Sequence, residues 1–559
     1  MLTSPMNPLT RQTRGAMVTS SWAKNGLAWT PLLLVLLAAL TLPTVSIWGS
    51  WLQWDSQHAQ VIEQLFQTVL PEYAWTSLLL CVGVAVGVIA MGTGAAALVT
   101  LFEFPGRRWL EWALLLPLAM PAYVVAYAYT DFFQYSGPLQ THLRAALGLE
   151  GALWPDIRST WGAVLVFTVT LYPYVYLLAR TALLEQSQHL HEAAQLLGAS
   201  RWRRILTVSL PMARPAIAAG TALALMETLA DFGVTSYFGV QSFTAGIYKA
   251  WLSMDNMWVA GQLATVLLLA VALLLTLEKN QQRRIRYAQT KVSPHTAQRS
   301  TLQAQSQAMQ WLLLSLTMVP LILGFVLPTA VLMWSWLSNP EPIDASRFWL
   351  WTWNSFYLAM MAAVLAVVLA LTLAIYKRIY HHRLSVFAIN WVSLGYAAPG
   401  AVVVVGILMP MMLLRQHWPD STWSFAITGT SVGLVWAYLV RFTSVAVQSI
   451  ESGYTRIPKA LDETSRTLGM VGWKLISRVH LPLLKRSSAA ALLLVFVDVM
   501  KELPATFVLR PFNNDTLAVV AYQLARDERL GEAALPSLAL VLAGLLPVLL
   551  ISKSLRRKS

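Results

Sequence analysis

Charge is scarce in this sequence. Asp, Glu, Lys and Arg make up only 12% of its 559 residues and hydrophobic residues 57%, whereas soluble domains run near ~25% charged. So little charge cannot cover a water-exposed surface, which excludes an ordinary soluble globule and points to lipid. Cysteine is nearly absent. The single Cys81 excludes a disulfide framework, and its apolar neighbours exclude the polar setting that activates a thiolate. Acids are missing from the first 26 residues, which carry Arg11, Arg14 and Lys24. The apolar run that follows is long enough to span a bilayer and has no clear small-residue cleavage site, so it reads as a signal anchor rather than a removed signal peptide.

Catalytic signatures are missing as well. No G-x-x-x-x-G-K-[ST] occurs, the pattern whose amides and lysine cradle phosphates. The glycine-rich stretch Gly83 to Val99 lacks the lysine and lies in an apolar run, so it reads as close helix packing through small residues. No H-x-x-x-H zinc pair occurs, and His381-His382 reads as solvated or lipid-facing. Neither an enzyme of its own, nor a cofactor, nor a stable metal site is expected. The net charge of +14 could suit nucleic acid, but the basic residues punctuate apolar runs, so none is expected as a partner.

What is present is a series of apolar segments of the ~20 residues needed to cross a bilayer. Twelve are expected, near 29–52, 74–101, 109–130, 160–182, 214–238, 257–277, 309–337, 352–376, 385–413, 424–448, 487–509 and 531–552. Assigning Lys- and Arg-rich loops to the cytoplasm puts both termini inside, with a bias exceeding three to one. The polar stretch 279–307, basic and rich in Gln and Ser, reads as a flexible cytoplasmic linker between residues 1–278 and 308–559.

The two flanking regions repeat each other. Residues 192–211 laid on 463–482 match at eight of twenty positions: Glu192/Glu463, Leu197/Leu468, Gly198/Gly469, Trp202/Trp473, Ile205/Ile476, Val208/Val479, Leu210/Leu481 and Pro211/Pro482. Ordinary residue frequencies give on the order of one. Trp75, Ser77 and Pro121 precede Trp353, Ser355 and Pro399 by 278. Six spans per half is an even number, so the repeats are parallel, related by an axis along the membrane normal, with a solute route between them.

Each repeated segment faces the cytoplasm on this map. Gly198 allows a left-handed exit from one helix, and Ser200 can cap a second that ends before Pro211. The product is a short L-shaped pair of helices exposing Trp202 beside arginines. A single copy could lie in the lipid interface, but a register kept twice suits docking into another protein.

The pattern E-A-A, three residues, G, nine residues, a hydrophobic, one residue, L-P resembles the cytoplasmic signature of binding-protein-dependent ABC importer permeases. Glu192-Ala193-Ala194, Gly198, Val208 and Leu210-Pro211 match it. The second copy keeps Glu463, Gly469, Val479 and Leu481-Pro482 and replaces the alanines with Thr464-Ser465. The resemblance implies an all-α membrane protein of type I permease architecture, in a bacterial inner membrane. It implies that each segment, with Trp202 and Trp473, is a coupling helix seated in one of two cytoplasmic ATPases. It also implies that a periplasmic or extracellular binding protein delivers the solute.

Acids inside expected spans bear on the solute. Glu227 and Asp231 fall on Asp498 and Glu502 at n+271, and in each half the two are four apart, hence on one helical face. A charge at bilayer depth costs roughly 2.5–3.5 kcal/mol on insertion scales, so such residues usually face a cavity or a partner. Lys501 can pair with Asp498 or Glu502. Four acids around the pseudo-axis suit a cation, and "ETLADFG" and "KELPATFVLRPF" resemble the Fe(III) permeases of this superfamily, which are fused twelve-span chains. Permeases for thiamine or phosphonates share the architecture, and an ion-coupled carrier could use the acids as proton relays.

Overall fold

The computed structural model describes residues 33–52, 67–184, 194–289, 306–338, 344–380 and 398–556, with isolated positions between them. Among these, ten helices are long and apolar enough to cross a bilayer. A further apolar pair, Arg107–Ala119 followed by Ala122–Leu147, is bent by 91° between its two helices. The bend replaces the straight helix expected over 109–130. It falls at Met120-Pro121, where Pro121 takes an extended conformation and starts the second helix, because a proline has no N–H to give the preceding turn. Apart from a two-residue parallel pairing of Phe102–Glu103 with Leu302–Gln303, the described secondary structure is helical.

The helices are apolar on nearly every side, so burial is decided by side-chain size. On Leu70–Leu101, Leu78, Leu79, Val82 and Val86 are exposed as lipid contacts require, while Val84, Val88 and Gly92 are buried. The buried face lies on helix Thr160–Leu184. A Cβ on Gly83 would come within 2.9 Å of Val164, and one on Gly92 within 2.8 Å of the Tyr172 carbonyl. The glycine-rich stretch is thus a close helix contact, as its lack of lysine implied.

The repeat is visible in matching contacts. Ser77 Oγ accepts the Phe243 amide (3.3 Å) and Ser355 Oγ the Leu517 amide (2.8 Å). Ser242 and Thr516 cap the helices that begin there. Pro121 and Pro399 both sit at helix starts in the same extended conformation. The first helix of each half crosses to the other half. Trp436 Nε1 donates to the Ala39 carbonyl (2.7 Å) and Ser46 Oγ to that of Gly406 (2.5 Å). In return, Tyr129 Oη donates to the Leu323 carbonyl at 2.6 Å.

Two expected helices are broken. Leu210–Ala230 stops at Asp231, which is extended, and a short helix Gly233–Tyr237 follows. Leu481–Met500 stops at Lys501 and resumes as Pro504–Leu509. The eleventh expected segment, 487–509, is therefore not one long apolar helix, and helix Leu481–Met500 also carries Lys485, Arg486 and Asp498. The expectation that the paired acids share one face of a continuous helix is corrected: Asp231 and Glu502 lie in the breaks. Irregular backbone at this depth survives where it borders a cavity and its amides are satisfied.

Candidate functional site

The acids themselves satisfy the broken backbone. Asp231 Oδ1 accepts the Val234 amide at 2.8 Å. Glu502 Oε1 accepts the Ala505 amide and Oε2 the Thr506 amide, both at 2.9 Å. Glu502 also accepts the Thr506 hydroxyl and Arg441 Nη1, each at 2.7 Å. Its side chain is 1% exposed, so this carboxylate is fully engaged.

Around these breaks lies a cavity of about 200 Å³ lined by both halves, in which Glu227, Asp231, Asp498 and Glu502 converge. All four expected acids therefore line one space, although the helix-face reasoning behind them fails for Asp231 and Glu502. Further lining residues are also related by 271: Thr170 with Arg441, Leu171 with Phe442, Ala230 with Lys501 and Gly233 with Pro504. Lys501 does not ion-pair with its neighbours as expected; its Nζ donates to the Leu118 carbonyl at 2.8 Å.

Arg441 is the site residue that sequence reasoning missed. It is a lone cation in the span expected over 424–448, and the rule that singled out the buried acids applies equally to it. Its pairing with Glu502 could not be read from spacing, since 61 residues separate the two.

Away from the cavity, the repeated segments share their backbone. Gly198 has φ 78° and Gly469 φ 77°, both left-handed. The Gly198 amide donates to the Gln195 carbonyl (2.9 Å) and that of Ala199 to Ala194 (3.0 Å). Gly469 to Arg466 (2.9 Å) and Met470 to Ser465 (3.0 Å) repeat the pattern 271 residues on. These bonds close a helix C-terminus through glycine, as expected. Ser200 Oγ accepts the Arg203 amide at 3.3 Å. At the corresponding place the second copy has Val471, and Gly472, φ 58°, opens the next turn. Leu197, Leu468 and Trp473 are exposed, as is Glu463. Glu192, Ala193 and the Trp202 side chain lie outside the described residues.

The second helix of each segment does not end before the Leu-Pro pair. It runs on through five residues of π-helix, Ile205–Ser209 and Ile476–His480, into Leu210–Ala230 and Leu481–Met500. The amides of Leu210 and Leu481 bond five residues back, to Ile205 and Ile476. A proline next in line would press its ring on the carbonyl four residues back, and the widened turn removes that carbonyl from its path.

Residues 83–287 match the family described as binding-protein-dependent transport system inner membrane component. The molybdenum transport system permease protein ModB of Escherichia coli is 33% identical over 174 residues, 30% of this chain and 74% of that protein. The chain belongs to this family. It is a multi-pass membrane permease of binding-protein-dependent transport. Similarity reaches both halves in the Fe(3+)-transport system permease protein FbpB 2 of Haemophilus influenzae, 24% identical over 88% of this permease and 92% of that one. A putative molybdenum transport system permease protein of Bacillus subtilis, YvgM, is 31% identical over 30% of the chain and 75% of its own length.

Proposed function

We propose that this permease is the membrane subunit of an ATP-driven importer and that its cargo is Fe(III). The carrying observation is the cavity between the halves, where four carboxylates face two cations. Arg441 is committed to Glu502, so the space left to a solute is dominated by carboxylate oxygens, the ligands a hard trivalent cation favours. The Fe(3+) relative aligns along both halves, the molybdenum relatives along less than a third of the chain.

In this reading, residues 1–278 and 308–559 are the two permease halves, joined by the linker 279–307. The segments around Gly198 and Gly469, with Glu192, Ala193, Ala194, Trp202, Leu210 and Pro211 in one and Glu463, Trp473, Leu481 and Pro482 in the other, dock one cytoplasmic ATPase each. Both termini are cytoplasmic, and a binding protein delivers the solute to the opposite face. ATP hydrolysis belongs to the ATPases. Passage of molybdate or another oxyanion is the second reading, favoured by Arg441 and Lys501 in the cavity wall.

Proteoliposomes carrying the permease, its ATPases and its binding protein decide between them. ATP-dependent uptake of radioactive iron as Fe(III) is expected, with molybdate excluded. Glu227→Gln with Asp231→Asn should lower iron uptake at least about tenfold if charge lines the route, while ATPase docking stays intact. Native mass of the same preparation should show one permease chain with two ATPases. Molybdate uptake without iron uptake, or normal iron uptake in a well-inserted double variant, would overturn the cation assignment.

A further inference from the structure

The repeat-related positions of the cavity wall are unequal in charge. Each half contributes two acids, but only the second contributes cations: Arg441 and Lys501 stand where the first half has Thr170 and Ala230. Arg441 is accounted for by Glu502, 2.7 Å away. Lys501 is not. Its ammonium bonds the Leu118 carbonyl at 2.8 Å, and among the described residues it forms no ion pair, although Glu227 and Asp498 line the same space. An ammonium has three donors, and this bond uses one.

The lysine also has a place made for its stem. Gly544 of the last helix carries no side chain; a Cβ there would lie 2.0 Å from the Ala119 carbonyl oxygen and 2.8 Å from Lys501 Cε, so the glycine admits both the Ala119 backbone and the lysine stem. The backbone is held from the other half by Tyr123, whose hydroxyl donates to the Lys501 carbonyl at 3.3 Å. A long, flexible stem on a fixed root can carry its charge between the Leu118 carbonyl and the carboxylates.

We propose that Lys501 is a tethered counter-cation: its ammonium stands in for cargo among the cavity carboxylates and weakens their hold on a multivalent cation. This rests on the cation reading of the cavity given above. With Glu502 engaged by Arg441, the carboxylates of Glu227, Asp231 and Asp498 around so small a space would still capture a hard cation, whereas a route must release what it binds. An ammonium tethered nearby raises the energy of the bound cation by direct repulsion. The first half needs no such residue, because one ammonium reaches the shared space.

The test uses the full-length permease in lipid nanodiscs with Tb(III), a redox-inert trivalent probe, titrated by its luminescence. Lys501→Met, of similar length without the charge, should bind Tb(III) about tenfold more tightly or better. Lys501→Arg should stay near the unsubstituted protein. Ala230→Lys, which adds an ammonium at the repeat-related position, should weaken binding by a similar factor. If Lys501→Met does not fold, Lys501→Gln, which can still donate to Leu118, and Ala230→Lys carry the test. Unchanged or weaker binding on loss of the lysine charge, with Glu227→Gln and Asp231→Asn still lowering affinity, would remove Lys501 from this role and leave the cation cavity standing. If the acid variants also leave Tb(III) binding unchanged, the cation reading itself falls, and the role of Lys501 with it.

Discussion

Arg441 Nη1 lies 2.7 Å from Glu502 Oε1, and the pair closes over Gly400, where a Cβ would be 3.0 Å from that oxygen and 3.2 Å from that nitrogen. Three segments distant in sequence thus meet at one buried charge pair: helix Ser431–Tyr454, the break before Pro504, and the start of helix Gly400–His417. Glu502 is simultaneously the cap of the resumed helix. The charge pair and the broken helix therefore support each other.

Removing one partner should be far worse than removing both. Arg441→Gln leaves a buried carboxylate with amide and hydroxyl donors but no cation, and breaking such a pair costs about 3–5 kcal/mol. A clear drop in the thermal unfolding temperature of the detergent-solubilised protein is expected. Arg441→Gln with Glu502→Gln should recover much of it, since the glutamine oxygen can still accept from the Ala505 or Thr506 amide. A double variant no more stable than the single one would show that the pair is not what holds the break.

The left-handed glycines offer a cleaner separation of folding from coupling. Nothing lies within 4 Å of a Cβ built on Gly198 or Gly469, so the cost of Gly198→Val or Gly469→Val is conformational, about 1–2 kcal/mol each. It falls on an exposed segment away from the cavity. Insertion and thermal stability should be nearly unchanged, while co-purification of the ATPase and uptake fall, uptake being lost when both are changed. Gly198→Asn, which tolerates the left-handed region, should retain part of the activity. Normal uptake in the double valine variant would separate these segments from coupling.

The turn at these glycines was legible in sequence because its cause is local: a glycine after a helical run, repeated at a fixed offset. The convergence of the four acids was legible for a similar reason, since lipid leaves buried charge few places to go. The break at Asp231 was not, although Pro504, which opens the resumed helix in the second half, was in plain view. Asp231-Phe232-Gly233 carries no strong stop signal, and the apolar pattern continues through it because the far side of the break still faces packed helices. The contacts of the first helices with the opposite half were equally hidden. These contacts, Ser46 with Gly406 and Tyr129 with Leu323, join residues hundreds of positions apart, and an apolar helix face does not specify which apolar partner it meets. Arg441 was visible as a residue but not as half of a pair.

The π turns before the Leu-Pro pairs set the direction in which the repeated segments point. Each π turn holds one residue more than α-helical closure allows, and one residue is about 100° of helix rotation. Everything on the N-terminal side, including Gly198 in the first half and Gly469 and Trp473 in the second, is turned by that amount relative to the helix leading to the cavity. Pro211 and Pro482 are the stated cause, because their rings exclude the ordinary closure. Pro211→Ala with Pro482→Ala removes the clash and restores an amide, so the turns can tighten to α-helix. Thermal stability should then be equal or higher, as expected for alanine in a helix. Uptake per ATP hydrolysed should fall at least about tenfold, because the segments are rotated away from the seats they fit. ATP hydrolysis by the assembled complex should persist, which distinguishes misdirected coupling from lost assembly. If the double alanine variant imports at the normal rate, the widened turns are a packing consequence of the prolines and do not orient the segments.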